Sequence, residues 1–213
     1  SLDNYVIKYD MLKNLKQNGR FLLNTEFDAT QIADYLPNRV KKQLAEKNAK
    51  FYIIDANKVA QSIGMGRRTN TILQSAFFYL NQAIMPFDEA NKYMKEFVNK
   101  SYSKKGQEIV ELNYKAIDEG YKNIVEVAVD PSWKNLTIAK EVRTSDDTYF
   151  DEFVQSIETL NGYDLPVSTF LGGFEDGTMT NGSAAFEKRY VASFVPVWNP
   201  ENCIQCNQCS FAC

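Results

Sequence analysis

Two short apolar runs, Arg20-Phe-Leu-Leu-Asn24 and Phe51-Tyr-Ile-Ile54, set the strongest limit on how this chain can fold. Both are too short for a helix and both sit between turn residues, so each reads as a buried strand. Helical patterns separate and follow them. Asp28-Ala-Thr30 caps a short helix ending before Pro37, a second helix runs from about Asn38 to Lys47, and Asp55 opens a third. Strand, helix, strand, helix is the rhythm of a βαβ-type parallel sheet covered by helices on both faces, which makes the fold class α/β.

The flanking sequence adds helices. Val6, Leu12 and Leu15 recur at helical spacing over residues 5–18, and Asn18-Gly19 supplies a stop. Gly64-Met-Gly-Arg-Arg-Thr-Asn70 reads as a tight turn with Thr69 as N-cap, leading into a helix from Thr71 to Gln82 expected to be buried. Pro86 to Asn99 is amphipathic, with Phe87, Ala90, Tyr93, Met94 and Phe97 on one side. Glu108 to Glu119 is amphipathic again, through Ile109, Leu112, Ala116 and Ile117. Val125 to Val129 alternates and stops at Asp130-Pro131. The polar stretch from Ser132 to about Asp151 reads as a surface linker, followed by a short helix from Phe150 to Leu160. Glycines and prolines then recur up to Asn202, with Asp176-Gly177 and Asn181-Gly182 as turns and a short strand at Val191 to Val197.

Composition narrows the chemistry. The chain has 213 residues and a formal net charge of -3, so neither nucleic acid nor a membrane surface is expected as a partner. No apolar run is long enough to span a bilayer, and the N-terminus lacks the features of a signal peptide and an initiator methionine, as a piece cut from something longer would. Histidine is absent, which excludes Ser-His-Asp and Cys-His catalysis and imidazole metal ligation. No carboxylate pair has acid–base spacing, Asp55 reads as a helix cap, and no residue is proposed as catalytic.

All four cysteines lie in the last stretch, Cys203-Ile-Gln-Cys206-Asn-Gln-Cys209-Ser-Phe-Ala-Cys213. The C-x2-C-x2-C-x3-C spacing is that of bacterial ferredoxin-type iron–sulfur ligation, in which the fourth cysteine serves a neighbouring cluster. Zinc, which prefers two separated pairs, is the competitor. Confinement of the thiols to one run suits a reducing, cytoplasmic compartment and metal work better than a disulfide framework.

Several motifs in order resemble pyruvate:ferredoxin (flavodoxin) oxidoreductase. They are Gly64-Met-Gly-Arg-Arg-Thr-Asn-Thr-Ile-Leu-Gln-Ser-Ala-Phe-Phe78, Ser103-Lys-Lys-Gly106, Leu165-Pro-Val-Ser168, Asp176-Gly-Thr178, Glu187-Lys-Arg189 and Val195-Pro-Val-Trp-Asn-Pro-Glu-Asn-Cys-Ile-Gln-Cys-Asn-Gln-Cys209. Met179-Thr180, Tyr190 and the absence of proline after Cys213 depart from the family pattern. The resemblance covers essentially the whole chain. It implies a fragment of an enzyme that oxidatively decarboxylates pyruvate to acetyl-CoA and CO2 and passes electrons through 4Fe-4S clusters to ferredoxin or flavodoxin. It also implies thiamine diphosphate with magnesium, coenzyme A as co-substrate and a homodimeric parent, with the other domains as partners of this one. A fusion delivering electrons to NADP is the alternative within the family. A non-redox scaffold with a zinc-binding tail is the alternative outside it.

On this reading residues 1–131 are the C-terminal part of the family's third domain and 132–161 a linker with a short helix. Residues 162–202 are an irregular glycine/proline-rich connector, and 203–213 begin a ferredoxin-like module. Cys203, Cys206 and Cys209 would hold one cluster and Cys213 its neighbour, although the fragment alone is expected to be inactive and to hold no assembled cluster. Trp198 is expected to pack over the cluster entrance. Gly66, Arg68 and Asn70 are the coenzyme A candidates, since a glycine turn opening a helix presents free N–H groups to phosphate. The competing reading is a plain turn with solvated arginines. Lys104-Lys105 reads as a solvated helix start, with phosphate as the other possibility.

Overall fold

Strand β1 (Arg20–Asn24) and strand β2 (Lys50–Ile54) form where the two apolar runs stand, and they pair in parallel, Phe21 opposite Phe51 and Leu23 opposite Ile53. The fold is that of a computed structural model, and the structure describes residues 3–138, 149–171, 173–183 and 196–212. The chain divides into two units, Ser1–Val142 with Ile157–Gly162, and Arg143–Ser156 with Tyr163–Cys213.

In the first unit α1 (Asp3–Lys8) precedes β1, and α2 (Ile32–Tyr35) and α3 (Asn38–Glu46) connect β1 to β2. Helices α4 (Ala56–Ser62), α5 (Asn70–Leu80), α6 (Phe87–Tyr102) and α7 (Gln107–Lys122) follow, then β3 (Val125–Val127). β3 joins the far side of β2 in antiparallel sense, giving the order β1-β2-β3. The sheet is therefore mixed, where an all-parallel one was expected. α7 delivers the chain to the sheet by a short turn at Asn123 and Ile124, and the strand then runs back against β2.

Strand alternation sorts the core into two layers. Phe21, Leu23, Phe51 and Ile53 point to one face, where Val6, Leu12, Ile32, Val40 and Leu44 cover them. Leu22 and Ile54 point to the other, where Val59, Ala60, Ile72, Ala76 and Ala116 pack. A third cluster, Met94, Val98, Val110 and Ile117, joins α6 to α7.

The turns carry local chemistry. Asp28 accepts bonds from the Thr30 hydroxyl at 2.6 Å and from the Thr30 and Gln31 amides at 2.8 and 3.0 Å. These bonds, the Thr30 hydroxyl foremost, favour the carboxylate and hold its pKa below the ordinary value. The lowered value belongs to the folded state, so this support is complete above the unfolded pKa and is lost as pH falls through the folded one. An NMR titration should place the Asp28 midpoint below that of the unfolded chain; coincident midpoints would show that the turn does not form in solution.

Several sequence expectations need correction. The first helix stops at Lys8 rather than running to residue 18. Arg39 from α3 donates to the carbonyls of Val6, Ile7 and Tyr9, and Lys47 to those of Leu12 and Lys13, so cations take the acceptors a longer helix would use. Helix α5 is only half buried, with Phe77 and Tyr79 exposed, and on α6 Tyr93 and Phe97 face outward while Val98 turns in. Thr69 holds the N-cap position of α5 without a side-chain capping bond. The start of the expected linker is anchored, because Trp133 packs against the first core and Leu136 and Thr137 accept bonds from Lys42 and Asn38.

In the second unit a π-helical turn, Phe150–Val154, runs on into α8 (Gln155–Glu158), close to the short helix read from the sequence. Phe150, Phe153 and Val154 are buried beside Leu165 and Phe170, and the Phe153 and Phe174 rings stack at 4.9 Å. Asp176 closes its turn with bonds from the Thr178 amide and hydroxyl, and Gly177 takes a positive φ of 80°. A last short helix, α9 (Cys209–Ala212), lies in the cysteine run. The Glu187-Lys-Arg189 motif, Tyr190, Cys213 and all but the end of the strand expected at Val191 to Val197 lie outside the described residues.

Candidate functional site

Asp55 caps α4 by accepting from the Lys58 amide at 2.8 Å, and the helix ends in the glycine turn. Gly64 and Gly66 adopt φ of 85° and 63°, a region closed to most side chains, and a Cβ on Gly66 would meet nothing within 4 Å. The turn leaves an open approach to the N-terminus of α5, where Arg67, Arg68 and Asn70 are exposed. Asn70 also lines a groove of about 480 Å³ between α5 and α6, walled by Phe78, Tyr93, Met94 and Phe97 and edged by Lys100.

Helix packing gathers more charge at this end than the sequence reading anticipated. The Thr71 hydroxyl donates to Asn113 Oδ1 at 3.1 Å and the Ser75 hydroxyl to the Ile117 carbonyl at 2.6 Å, both buried. These two bonds run in step along α5 and α7, so the helices are parallel and their N-termini share one end of the layer. α6 starts where they finish, with Phe87 against Tyr79 and Tyr121, and so returns to that shared end. Lys104 and Lys105, in the short 3-10 turn after α6, arrive at the same end as Arg67 and Arg68. Two helix N-termini and four cations there favour an anion, with Glu108 the acid in the first turn of α7.

The thiols of Cys203, Cys206 and Cys209 are exposed and free. Among the described residues no three Cys, Asp, Glu or His side chains come together as a metal-holding group. Cys213 lies outside the described residues. The donor chemistry nevertheless suits iron: soft sulfur ligands are the type that selects iron–sulfur clusters, and the ligand must be a thiolate. The Cys203 thiol is held below its ordinary pKa, first by a hydrogen bond from the Trp198 indole N–H and then by the Gln205 amide. Gln205 and Asn207, which flank Cys206, take left-handed φ of 55° and 61°. Gathering of the ligands is then coupled to metal capture. Trp198 itself is 69% exposed, so it does not pack over an entrance as expected; its indole serves the sulfur instead.

A family model described as "Pyruvate ferredoxin/flavodoxin oxidoreductase" matches residues 1–123. The chain belongs to this family. A second model, for a domain of unknown function called EKR, matches residues 137–192. The pyruvate:ferredoxin oxidoreductase of Moorella thermoacetica is 41% identical over 98% of this chain, and the pyruvate-flavodoxin oxidoreductase of Klebsiella pneumoniae 40% identical over its full length. The pyruvate dehydrogenase (NADP+) of Cryptosporidium parvum is 34% identical over 98% of the chain. This family member spans 18% of the length of the first two relatives and 12% of the third. Among solved structures, the pyruvate oxidoreductase subunit PORC of Thermotoga maritima is 19% identical with a TM-score of 0.45, over 58% of this chain and 60% of that one.

The sequence missed the indole–thiol pair, because Trp198 and Cys203 read separately as packing and ligand. It also missed the meeting of the two cationic turns. The left-handed position was legible at Asn207, since asparagine is enriched there, but not at Gln205.

Proposed function

We propose that this chain is a non-catalytic slice of an enzyme that oxidatively decarboxylates pyruvate to acetyl-CoA and CO2. Electrons would leave through 4Fe-4S clusters for ferredoxin or flavodoxin in a reducing cytoplasm. The observation that carries the reading is the C-x2-C-x2-C-x3-C run on a chain of this family. Cys203, Cys206 and Cys209 would hold one cluster and Cys213 the next. When bound, the clusters supply one-electron transfer. Trp198 and the Gln205 amide favour the Cys203 thiolate, and N–H groups of the Asn/Gln-studded loop can bond sulfur and tune its potential. Thiamine diphosphate with magnesium, pyruvate and the groups that act on it belong to other domains of a dimeric parent.

Gly66, Arg68 and Asn70 are proposed to bind coenzyme A. The open turn and the exposed N-terminus of α5 support this, because both suit a phosphate.

The test uses the parent polypeptide purified without oxygen. Brown visible absorption bleached by dithionite, together with pyruvate- and coenzyme A-dependent reduction of ferredoxin or flavodoxin, is the expected result. A colourless protein with stoichiometric zinc defeats the redox reading, and reduction of NADP alone selects the fusion form. In the same parent, Arg68→Ala should raise the KM for coenzyme A about tenfold, the loss of one charge-assisted phosphate contact. Thiamine-dependent decarboxylation should persist. An unchanged KM removes Arg68 from the site.

A further inference from the structure

β1 ends the sheet on one side. Its Gly19 carbonyl accepts from Lys50 and its Thr25 amide donates to Ile54, so by parallel alternation the main-chain groups of Arg20 and Asn24 turn outward, away from β2. Along this border runs a groove of about 550 Å³. Tyr5 and Met11 wall it from the layer on one face of the sheet, and Leu73, Phe77 and Leu80 of α5 wall it from the other. Tyr5, Met11 and Phe77 are 48%, 40% and 47% exposed, although such side chains are normally covered when grouped. A sheet border overhung by apolar residues from both layers has the shape of a place for one more strand, which would lie about 4.8 Å from β1.

We propose that this slot receives an extended segment of the parent polypeptide outside the 213 residues, added to β1 as a further strand. The proposal rests on the reading of this chain as part of a longer enzyme. The relatives supply the length, since 82% of the Moorella thermoacetica protein (100% less the 18% matched) lies outside the region it shares with this chain. The walls define the occupant's chemistry. With apolar helices on both faces, both of its alternating side-chain rows must be apolar, so it is a near-continuous aliphatic run rather than an alternating one. The groove has Arg20 and Asn81 as its polar lining, and neither calls for an ionic partner.

Hydrogen exchange of the intact parent and of the 213-residue chain tests this, with Phe77→Asp placed in both. In the parent the amides of Arg20–Asn24 should exchange at least about tenfold more slowly than in the short chain. Phe77→Asp should lower the parent's Tm by several degrees and leave that of the short chain nearly unchanged, because there the ring is half exposed. Equal exchange in the two proteins, or a parent indifferent to Phe77→Asp, overturns the proposal. Protection that appears in the short chain and grows with its concentration also overturns it, since a second copy then fills the slot. The natural reading frame is determined separately: one that ends near these 213 residues removes both this proposal and the parent enzyme, whereas fast exchange in an intact longer parent removes the slot alone.

Discussion

Gly120→Ala should destabilise the first unit by about 1–3 kcal/mol, seen as a fall of roughly 3–10 °C in Tm by circular dichroism. Alanine is the better helix former by about 1 kcal/mol, so on an isolated helix the same change would stabilise. Gly120 lies buried within α7, where a Cβ would come within 2.5 Å of the Ile72 carbonyl oxygen, 2.9 Å of Ser75 Cβ and 3.1 Å of Ile72 Cα. Two of those three atoms are backbone and cannot swing aside. α5 and α7 must separate, which strains the buried Ser75–Ile117 bond and loosens Ile72, Ala76 and Ala116 between the sheet and α7. A Tm that rises would show that the helices are not in contact at this point. The expected sign therefore separates close packing from simple helix propensity.

Cys206→Ser in the anaerobic parent should remove one cluster, with loss of its iron and its visible absorption and a collapse of electron delivery to ferredoxin or flavodoxin. Pyruvate decarboxylation assayed by carbon dioxide exchange should survive, because no residue of this chain is assigned to it. The reason is the ligand atom. A serine hydroxyl is a hard oxygen that stays protonated near neutral pH, whereas cluster iron takes soft thiolate sulfur. Cys206 sits between Gln205 and Asn207, both left-handed, so the loop keeps its course while the donor is lost. Full iron content and normal electron delivery in this variant would exclude Cys206 as a ligand. The result differs from the alternative of a zinc tail, in which the unsubstituted parent is already colourless.

Much of the first unit was legible because local rules act there without help. The runs at Arg20–Asn24 and Lys50–Ile54 are strands, and α3, α4 and α5 begin within a residue of where the pattern placed them. Asp28 and Asp55 hold the amides a capping residue should hold. Failures came where a distant group intervened. Residues 9–18 carry a helical pattern, yet Arg39 and Lys47 claim the carbonyls nearby. Gly120 looked like a helix end because glycine usually is one, while here it is the place where two helices touch.

The candidate site divides in the same way. The four cysteines and the glycine turn announced themselves by spacing, and so did the family. The meeting of Arg67 and Arg68 with Lys104 and Lys105 did not, because it depends on α5 and α7 running parallel.

By itself the sequence determined which segments are strands and helices, which side chains can ligate metal and to which family the chain belongs, since each follows from residue type and spacing along the chain. Only the tertiary structure decided that β3 runs antiparallel to β2, that one end of the helical layer collects the cations, and that the border of β1 is left apolar and open. Those features depend on where segments far apart in sequence come to rest against each other, and residue spacing carries no term for that.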